Sequence, residues 1–327
     1  MSEAMNENVF VPVMLPAAMV QPTEQIEEYP DIPAAIVNSE IIEEVPVIDN
    51  SDMVQGYTTI LHCTMDQSVF KEITKTLTAL VPEVRMHISH DDLIVRCVDT
   101  ANVAMVDIVY RKESFESFKV IDHHAIGIDL TIWQKFLKNV KKNNSVLFEV
   151  VRKELPSNKT EEDIKKDITV LPVFEYTYKL SCNGTEITGK TLDVNTIRRD
   201  PNMPSVVLPT KIDLTAGDLI ETIRGAHDVS DKIELSCNEK ALSDNVLKAI
   251  AEYGTSKSVK VVNTLSITGD GARSIFSLDY LIDIVKAIQD KKEIVTIDMG
   301  NDHPIKITLS NVDREIIYLL APRIEAD

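Results

Sequence analysis

Asp122-His123-His124-Ala125 places one carboxylate beside two imidazoles. These side chains bind divalent metals and could activate water for hydrolysis. A two-metal centre needs further Asp and His ligands on other strands, and no such companions accompany this string; a polar turn entering a strand over 125–129 is the alternative reading. Gly269-Asp270-Gly271 lacks the following Lys and the strand-to-helix setting of a phosphate loop, and reads as a hairpin turn. Cys63, Cys97, Cys182 and Cys237 lie far apart with no Cys-x-x-Cys pair, which suits reduced, buried strand positions rather than zinc or disulfides. No catalytic residue, metal ligand or cofactor loop is therefore assigned.

Lysines are the second chemical feature. At 100° per residue, Val69, Phe70, Ile73, Leu77 and Leu80 share one face of a helix predicted over 67–81, while Lys71, Lys75 and Thr78 share the other. A helix over 130–142 turns Trp133, Phe136, Leu137 and Val140 inward and Lys135, Lys138 and Lys142 outward, with Lys141 beside them. One such face is ordinarily solvated surface. Two in succession, with Glu72 as the one nearby acid, suit a phosphate backbone read without sequence specificity. Trp133, the single Trp, belongs to the apolar stripe and thus to the core.

A net charge of -18 opposes that reading until its distribution is considered. No Lys or Arg precedes Lys71, and residues 1–56 hold six prolines and eleven acids (Glu3, Glu7, Glu24, Glu27, Glu28, Asp31, Glu40, Glu43, Glu44, Asp49, Asp52), the composition of a disordered tail. The remaining chain carries 41 acids against 34 bases, a body only mildly acidic. Met53 stands just before the first structured segment and offers an alternative start. No apolar run approaches the roughly 20 residues of a membrane span, and the N-terminus lacks the basic start of a signal peptide. The protein is expected to stay where it is made.

The elements that must position these lysines occur twice in the 327 residues. After the first helix, strands are predicted over 84–89, 93–98 and 103–110; after the second, over 146–152 and 174–182 around a polar insertion at 154–166. Helices over 216–226 and 278–288, and strands over 232–237, 294–299, 305–309 and 315–320, repeat the order. A shift of 148 pairs Leu130 with Leu278, Trp133 with Leu281, Phe136 with Ile284, Leu137 with Val285, Val140 with Ile288 and Val146 with Ile294, and Val84 lies 149 before Ile233. Such spacing indicates a duplicated domain. A Pro-containing segment over 192–209 reads as an extended connector. The expected organisation is a tail at 1–56, domain one at 57–191, a connector at 192–206, and domain two with its C-terminal tail at 207–327.

Tyr318-Leu319-Leu320-Ala321-Pro322-Arg323-Ile324-Glu325 resembles the ending of PCNA-family sliding clamps. Phe276-Ser277-Leu278-Asp279-Tyr280-Leu281, Leu192-Asp193-Val194 and Val98-Asp99-Thr100-Ala101-Asn102-Val103 match the family pattern in order, and Thr196-Ile197-Arg198-Arg199-Asp200-Pro201 looks archaeal. The resemblance covers about 57–325, without the insertion. It implies an α+β fold of duplicated DNA-clamp domains, with antiparallel sheets outside and two helices per domain lining a ring. The implied function is that of a processivity factor: a homotrimer, or a member of a heterotrimer, encircling double-stranded DNA. DNA polymerase, clamp loader, flap endonuclease and DNA ligase would bind it through short peptide motifs in replication and repair. Cytoplasmic, nucleoid-associated placement follows if the source is archaeal, nuclear if eukaryotic. The Asp122-His123-His124 string keeps a metal-dependent phosphoesterase of the DHH type as an enzyme alternative. A clamp-like scaffold that is not loaded on DNA is another.

The resemblance also implies site residues. The partner-peptide groove maps to Val98, Val103, Ile197, Pro304, Leu319, Ala321, Pro322 and Ile324; the competing reading is core packing, hardest to apply to Pro322 and Ile324 beyond the last strand. Subunits would join through edge strands near 185–190 and 258–265, including Thr185, Ile187, Val259 and Val261. Residues 244–253 look helical by propensity, but their place in the repeat makes 246–253 a strand, followed by one over 258–267. Arg224 and Lys286 match DNA-facing positions, yet Lys286 shares a helix face with Asp279, Asp283 and Asp290, Arg224 lies near Glu221 and Asp228, and Thr78 stands where a base is frequent. DNA-facing charge is therefore expected chiefly from domain one.

Overall fold

Each described helix begins where a strand ends, and three of the four joints carry a side-chain cap. In the computed structural model, which describes residues 56–155, 173–237 and 245–324, Asp66 and Asp129 accept from the backbone N–H of Ser68 at 2.7 Å and Thr131 at 2.8 Å. Thr215 Oγ1 accepts from Asp218 N at 3.1 Å and donates to its carboxylate at 2.6 Å. These caps satisfy N–H groups that a helix start leaves open. The expected tail and most of the insertion lie outside the described residues.

The first copy runs β1 (Tyr57–Asp66), α1 (Gln67–Thr78), β2 (Glu83–Ile88), β3 (Asp92–Val98), β4 (Ala104–Arg111), β5 (Ser117–Val120), β6 (His124–Asp129), α2 (Leu130–Leu137), β7 (Ser145–Leu155), β8 (Val173–Cys182) and β9 (Thr185–Lys190). The second repeats that order: β10 (Thr210–Thr215), α3 (Ala216–His227), β11 (Lys232–Cys237), β12 (Val246–Tyr253), β13 (Ser256–Asn263), β14 (Ser266–Thr268), β15 (Ala272–Ser277), α4 (Leu278–Ala287), β16 (Ile294–Met299), β17 (Ile305–Ser310) and β18 (Arg314–Leu320).

Among the described residues the strands form three antiparallel sheets, ordered β5-β1-β7-β8-β9, β13-β12-β11-β15 and β14-β10-β16-β17-β18-β4-β3-β2-β6. The long sheet is continuous across both copies because β18 pairs with β4, for example Tyr318 with Val106. Alternation leaves one sheet face to pack: Val84, Met86 and Ile88 on β2 and Val295, Ile297 and Met299 on β16 are buried. Trp133 is fully buried, its ring 5.1 Å from both Phe70 and Phe148. The helices pack side by side in the order α2, α1, α4, α3.

Several local expectations need correction. Helix α1 stops at Thr78 rather than 81, because Pro82 disfavours helical backbone at Val81. Helix α2 stops at Leu137 rather than 142: the chain must return to Ser145, which pairs with Asp66, so Lys141 and Lys142 sit in the return loop. The strand expected over 258–267 is split, since β14 leaves β12 and pairs with β10. Gly269-Asp270-Gly271 is consequently a corner between sheets, not a hairpin; Gly269 has φ +96°, and a Cβ there would lie 1.9 Å from the Pro209 carbonyl oxygen. Val146 corresponds to Val295 rather than Ile294, because the second copy carries one extra residue after its helix; Val146 and Val295 are buried while Ile294 is 56% exposed. Residues 246–253 form β12, pairing on both sides despite their helical propensity.

Candidate functional site

The helix layer carries an open groove of about 580 Å³ where α1, α2 and α4 meet. Lys71, Lys75, Thr78, Lys138, Asp283 and Lys286 line it. Lys135 is exposed on α2 outside the groove, as are Lys141 and Lys142 in the loop beyond it. Among the described residues, Lys71, Lys75, Lys135, Lys138, Lys141 and Lys142 form no ion pair, although Lys112, Lys179, Lys190, Lys257, Lys260 and Lys306 all do. Glu72 does not face them: it is buried, and Arg314 Nε reaches its carboxylate at 2.7 Å while Tyr110 Oη donates to it at 2.8 Å. Burial pushes the Glu72 carboxyl upward, opposed by the Arg314 charge.

On α4, Lys286 Nζ pairs with Asp283 at 2.9 Å. Asp279 instead lies 3.8 Å from His227, and Asp290 accepts from Lys292 N beyond the helix, so one acid rather than three offsets Lys286. Arg224 is exposed on α3; its neighbour Glu221 pairs with Lys260 at 3.2 Å.

The connector is bound to domain one by polar pins that the sequence did not announce. Arg85 donates to Val194 O at 2.6 Å, His87 Nε2 is 2.6 Å from Asp200 Oδ2, and Arg198 donates to Asp99 O at 3.0 Å and to Asn102 Oδ1. Leu192 N donates to Gly127 O at 2.9 Å, and a Cβ on Gly127 would lie 2.5 Å from the Leu192 carbonyl oxygen, so only glycine admits this approach. Asp99 organises the adjacent turn, accepting from Val103 N at 2.7 Å, Ala104 N at 2.8 Å and Tyr280 Oη at 2.7 Å. Its Asp-Thr-Ala-Asn sequence, with Asn102 at φ 58°, is the signal that could have revealed this turn.

Val98, Val103, Ile197, Leu319, Ala321 and Pro322 surround this region as buried residues, and Pro304 is half-buried. Pro322 is therefore packed despite lying beyond β18; Ile324, 53% exposed, is the member left facing outward. At two of the sheet margins, β9 pairs only with β8 and β13 only with β12 among the described residues. Val259 and Val261 are exposed on β13, while Thr185 is exposed and Ile187 half-buried on β9.

Asp122-His123-His124 forms the turn into β6. Asp122 has φ 61°, and His124 is buried with Nε2 donating to Ile121 O at 2.8 Å. Burial lowers the His124 pKa. Among the described residues no group of three His, Cys, Asp or Glu could hold a metal.

Two copies of one strand-helix unit, sharing a sheet and, among the described residues, setting four helices side by side, define a subunit of the DNA-clamp fold. The model of the proliferating cell nuclear antigen N-terminal domain matches residues 61–181. A DNA polymerase sliding clamp of Methanoregula boonei is 34% identical over 275 residues, covering 82% of this chain and 100% of that protein. The solved structure of the C-terminal region of FEN-1 bound to A. fulgidus PCNA superposes with TM-score 0.67 at 26% identity, covering 82% of this chain and 100% of that one. A PCNA2-PCNA3 complex from Sulfolobus tokodaii shares the fold, with TM-score 0.62 at 21% identity over 80% of this chain and 99% of that one. The chain belongs to the PCNA family of DNA polymerase sliding clamps.

Proposed function

We propose that this clamp closes head to tail into a three-subunit ring around duplex DNA and acts by tethering other proteins, with no catalytic step of its own. The observation that carries this reading is the gathering of Lys71, Lys75 and Lys138 in one groove of the helix layer, with Lys135, Lys141 and Lys142 exposed beside it and none of the six in an ion pair among the described residues. Lysines spaced along a helix face offset phosphate charge without reading bases, which lets a closed ring slide. Ring closure would pair β9 with β13 of the next copy and cover Val259 and Val261, two unpaired edges that otherwise invite aggregation.

Val98, Val103, Ile197, Pro304, Leu319, Ala321, Pro322 and Ile324 would bind short peptides of a DNA polymerase, clamp loader, flap endonuclease or DNA ligase. The FEN-1 segment on the similar A. fulgidus protein supports the flap endonuclease among these. Holding such an enzyme on DNA raises its concentration at the primer terminus. In an archaeal cell the protein would then act in the cytoplasm, with the nucleoid.

With a matched loader on nicked circular DNA, the protein should lengthen the products a polymerase makes per binding event; unchanged product length with every matched polymerase tried would refute the tether. Light scattering should give three times the chain mass, and Val259→Glu with Val261→Glu should reduce it to that of one chain. A stable wild-type monomer would require other clamp subunits to complete the ring.

A further inference from the structure

Residues 1–55 join the described structure at Gly56 and contain eleven acids (Glu3, Glu7, Glu24, Glu27, Glu28, Asp31, Glu40, Glu43, Glu44, Asp49, Asp52) and no Lys, Arg or His. A segment of one charge sign is repelled by a net acidic body and drawn to wherever unpaired positive charge gathers. That place is the groove of α1, α2 and α4, where Lys71, Lys75 and Lys138 lie without a carboxylate partner among the described residues and Lys286 has Asp283 alone. We propose that the acidic segment around Glu40, Glu43 and Glu44 docks on this lysine groove, of its own or a neighbouring subunit, and competes there with nucleic acid.

Chain length permits it. Strand β1 runs from Tyr57 to Asp66 and leads directly into α1, so the root of the segment lies about 33 Å from the start of that helix at strand rise. Glu44 to Glu40 stand 12 to 16 residues before Gly56, an extended reach of roughly 40–55 Å, whereas Asp49, 7 residues before it, reaches only about 23 Å. Covalent linkage gives these acids an effective concentration of about 1 mM at the groove, so even a weak electrostatic contact is populated. The acids would thus keep DNA from binding the inner face casually, while a loaded duplex, with its denser charge, displaces them. The competition with DNA rests on the function proposed above; the docking itself does not.

Two measurements on the full chain separate them. In the first, a carbodiimide joins carboxylates to lysines in direct contact, and the cross-links are located by mass spectrometry. Links from Glu40, Glu43 or Glu44 to Lys71, Lys75 or Lys138 are expected, lost in the variant Glu40→Gln, Glu43→Gln, Glu44→Gln and weakened at about 0.5 M salt. Links spread equally to exposed lysines elsewhere, such as Lys119 and Lys211, or no links at all, would overturn the docking. In the second, a 30-base-pair duplex is titrated into both proteins at about 50 mM salt, and the amide variant should bind about tenfold more tightly. Cross-links in the groove with no DNA binding by either protein would keep the docking and defeat the DNA-facing role; equal DNA binding without groove cross-links would do the reverse.

Discussion

Arg314, on the last strand, clasps Glu72, on the first helix: Nε lies 2.7 Å from Oε2 and Nη2 lies 2.9 Å from Oε1. The same guanidinium reaches Glu293 at 2.8 Å, so one cation sits between two carboxylates at the seam of the two domains. All three side chains are nearly buried, and the pairing turns Glu72 away from the lysine groove. The seam therefore ties the first helix to the last strand and leaves Asp283 as the acid that lines the groove.

Removing the shared cation should be the costliest change at this seam. Arg314→Leu leaves two carboxylates buried without compensation and should cost about 3–5 kcal/mol, whereas Glu72→Gln, which keeps an acceptor for Tyr110 and leaves Glu293 on Arg314, should cost about 1–3 kcal/mol. Urea denaturation of the three proteins at one concentration gives the comparison. Equal costs would mean that Arg314 contributes through packing alone.

DNA-facing charge should be lopsided. Replacing Lys71, Lys75, Lys135, Lys138, Lys141 and Lys142 by Gln should impair loading and lower the salt dependence of DNA retention by roughly 0.9 in slope for each phosphate no longer neutralised. Arg224→Gln with Lys286→Gln should do less, because Asp283 already offsets Lys286. The opposite order would place the DNA-binding charge in domain two.

Groove residues should divide by exposure. Ile324→Glu should weaken a peptide from the C-terminal region of a flap endonuclease at least tenfold by calorimetry, with stability changed by less than about 0.5 kcal/mol. Leu319→Ala, at a buried position, should cost about 2–5 kcal/mol whatever it does to the peptide. A peptide indifferent to Ile324→Glu would locate its site elsewhere.

Stability should fall on mild acidification through His124. Burial holds its pKa below the ordinary value near 6.5, so as pH drops below that value the unfolded chain takes up a proton before the folded one does. The contribution of the neutral, buried ring is complete above about pH 7, is lost as pH falls toward the folded pKa, and changes no further below it. His124→Gln should reduce the slope of stability against pH in that window by up to one proton, measured by urea denaturation at successive pH values. An unchanged slope would show that the imidazole titrates alike in both states.

Periodicity alone determined much of this protein. Apolar spacing located four helices and most strands, and the 148–149 residue offset exposed the duplication, because burial of one face imposes a local pattern that a chain repeats when its fold repeats. The lysine faces were legible for the same reason. Other features depended on distance in sequence. Arg314 and Glu72 are separated by 242 residues, and no local pattern joins them. Where α2 ends was set by the need to bring Ser145 beside Asp66, and where the strand after β13 belongs was set by a vacant edge of β10. The extra residue that moves Val295 into the place expected of Ile294 shows the limit most plainly: side chains on a strand alternate faces, so one residue decides between core and solvent, and only the packed sheet reveals which register it chose.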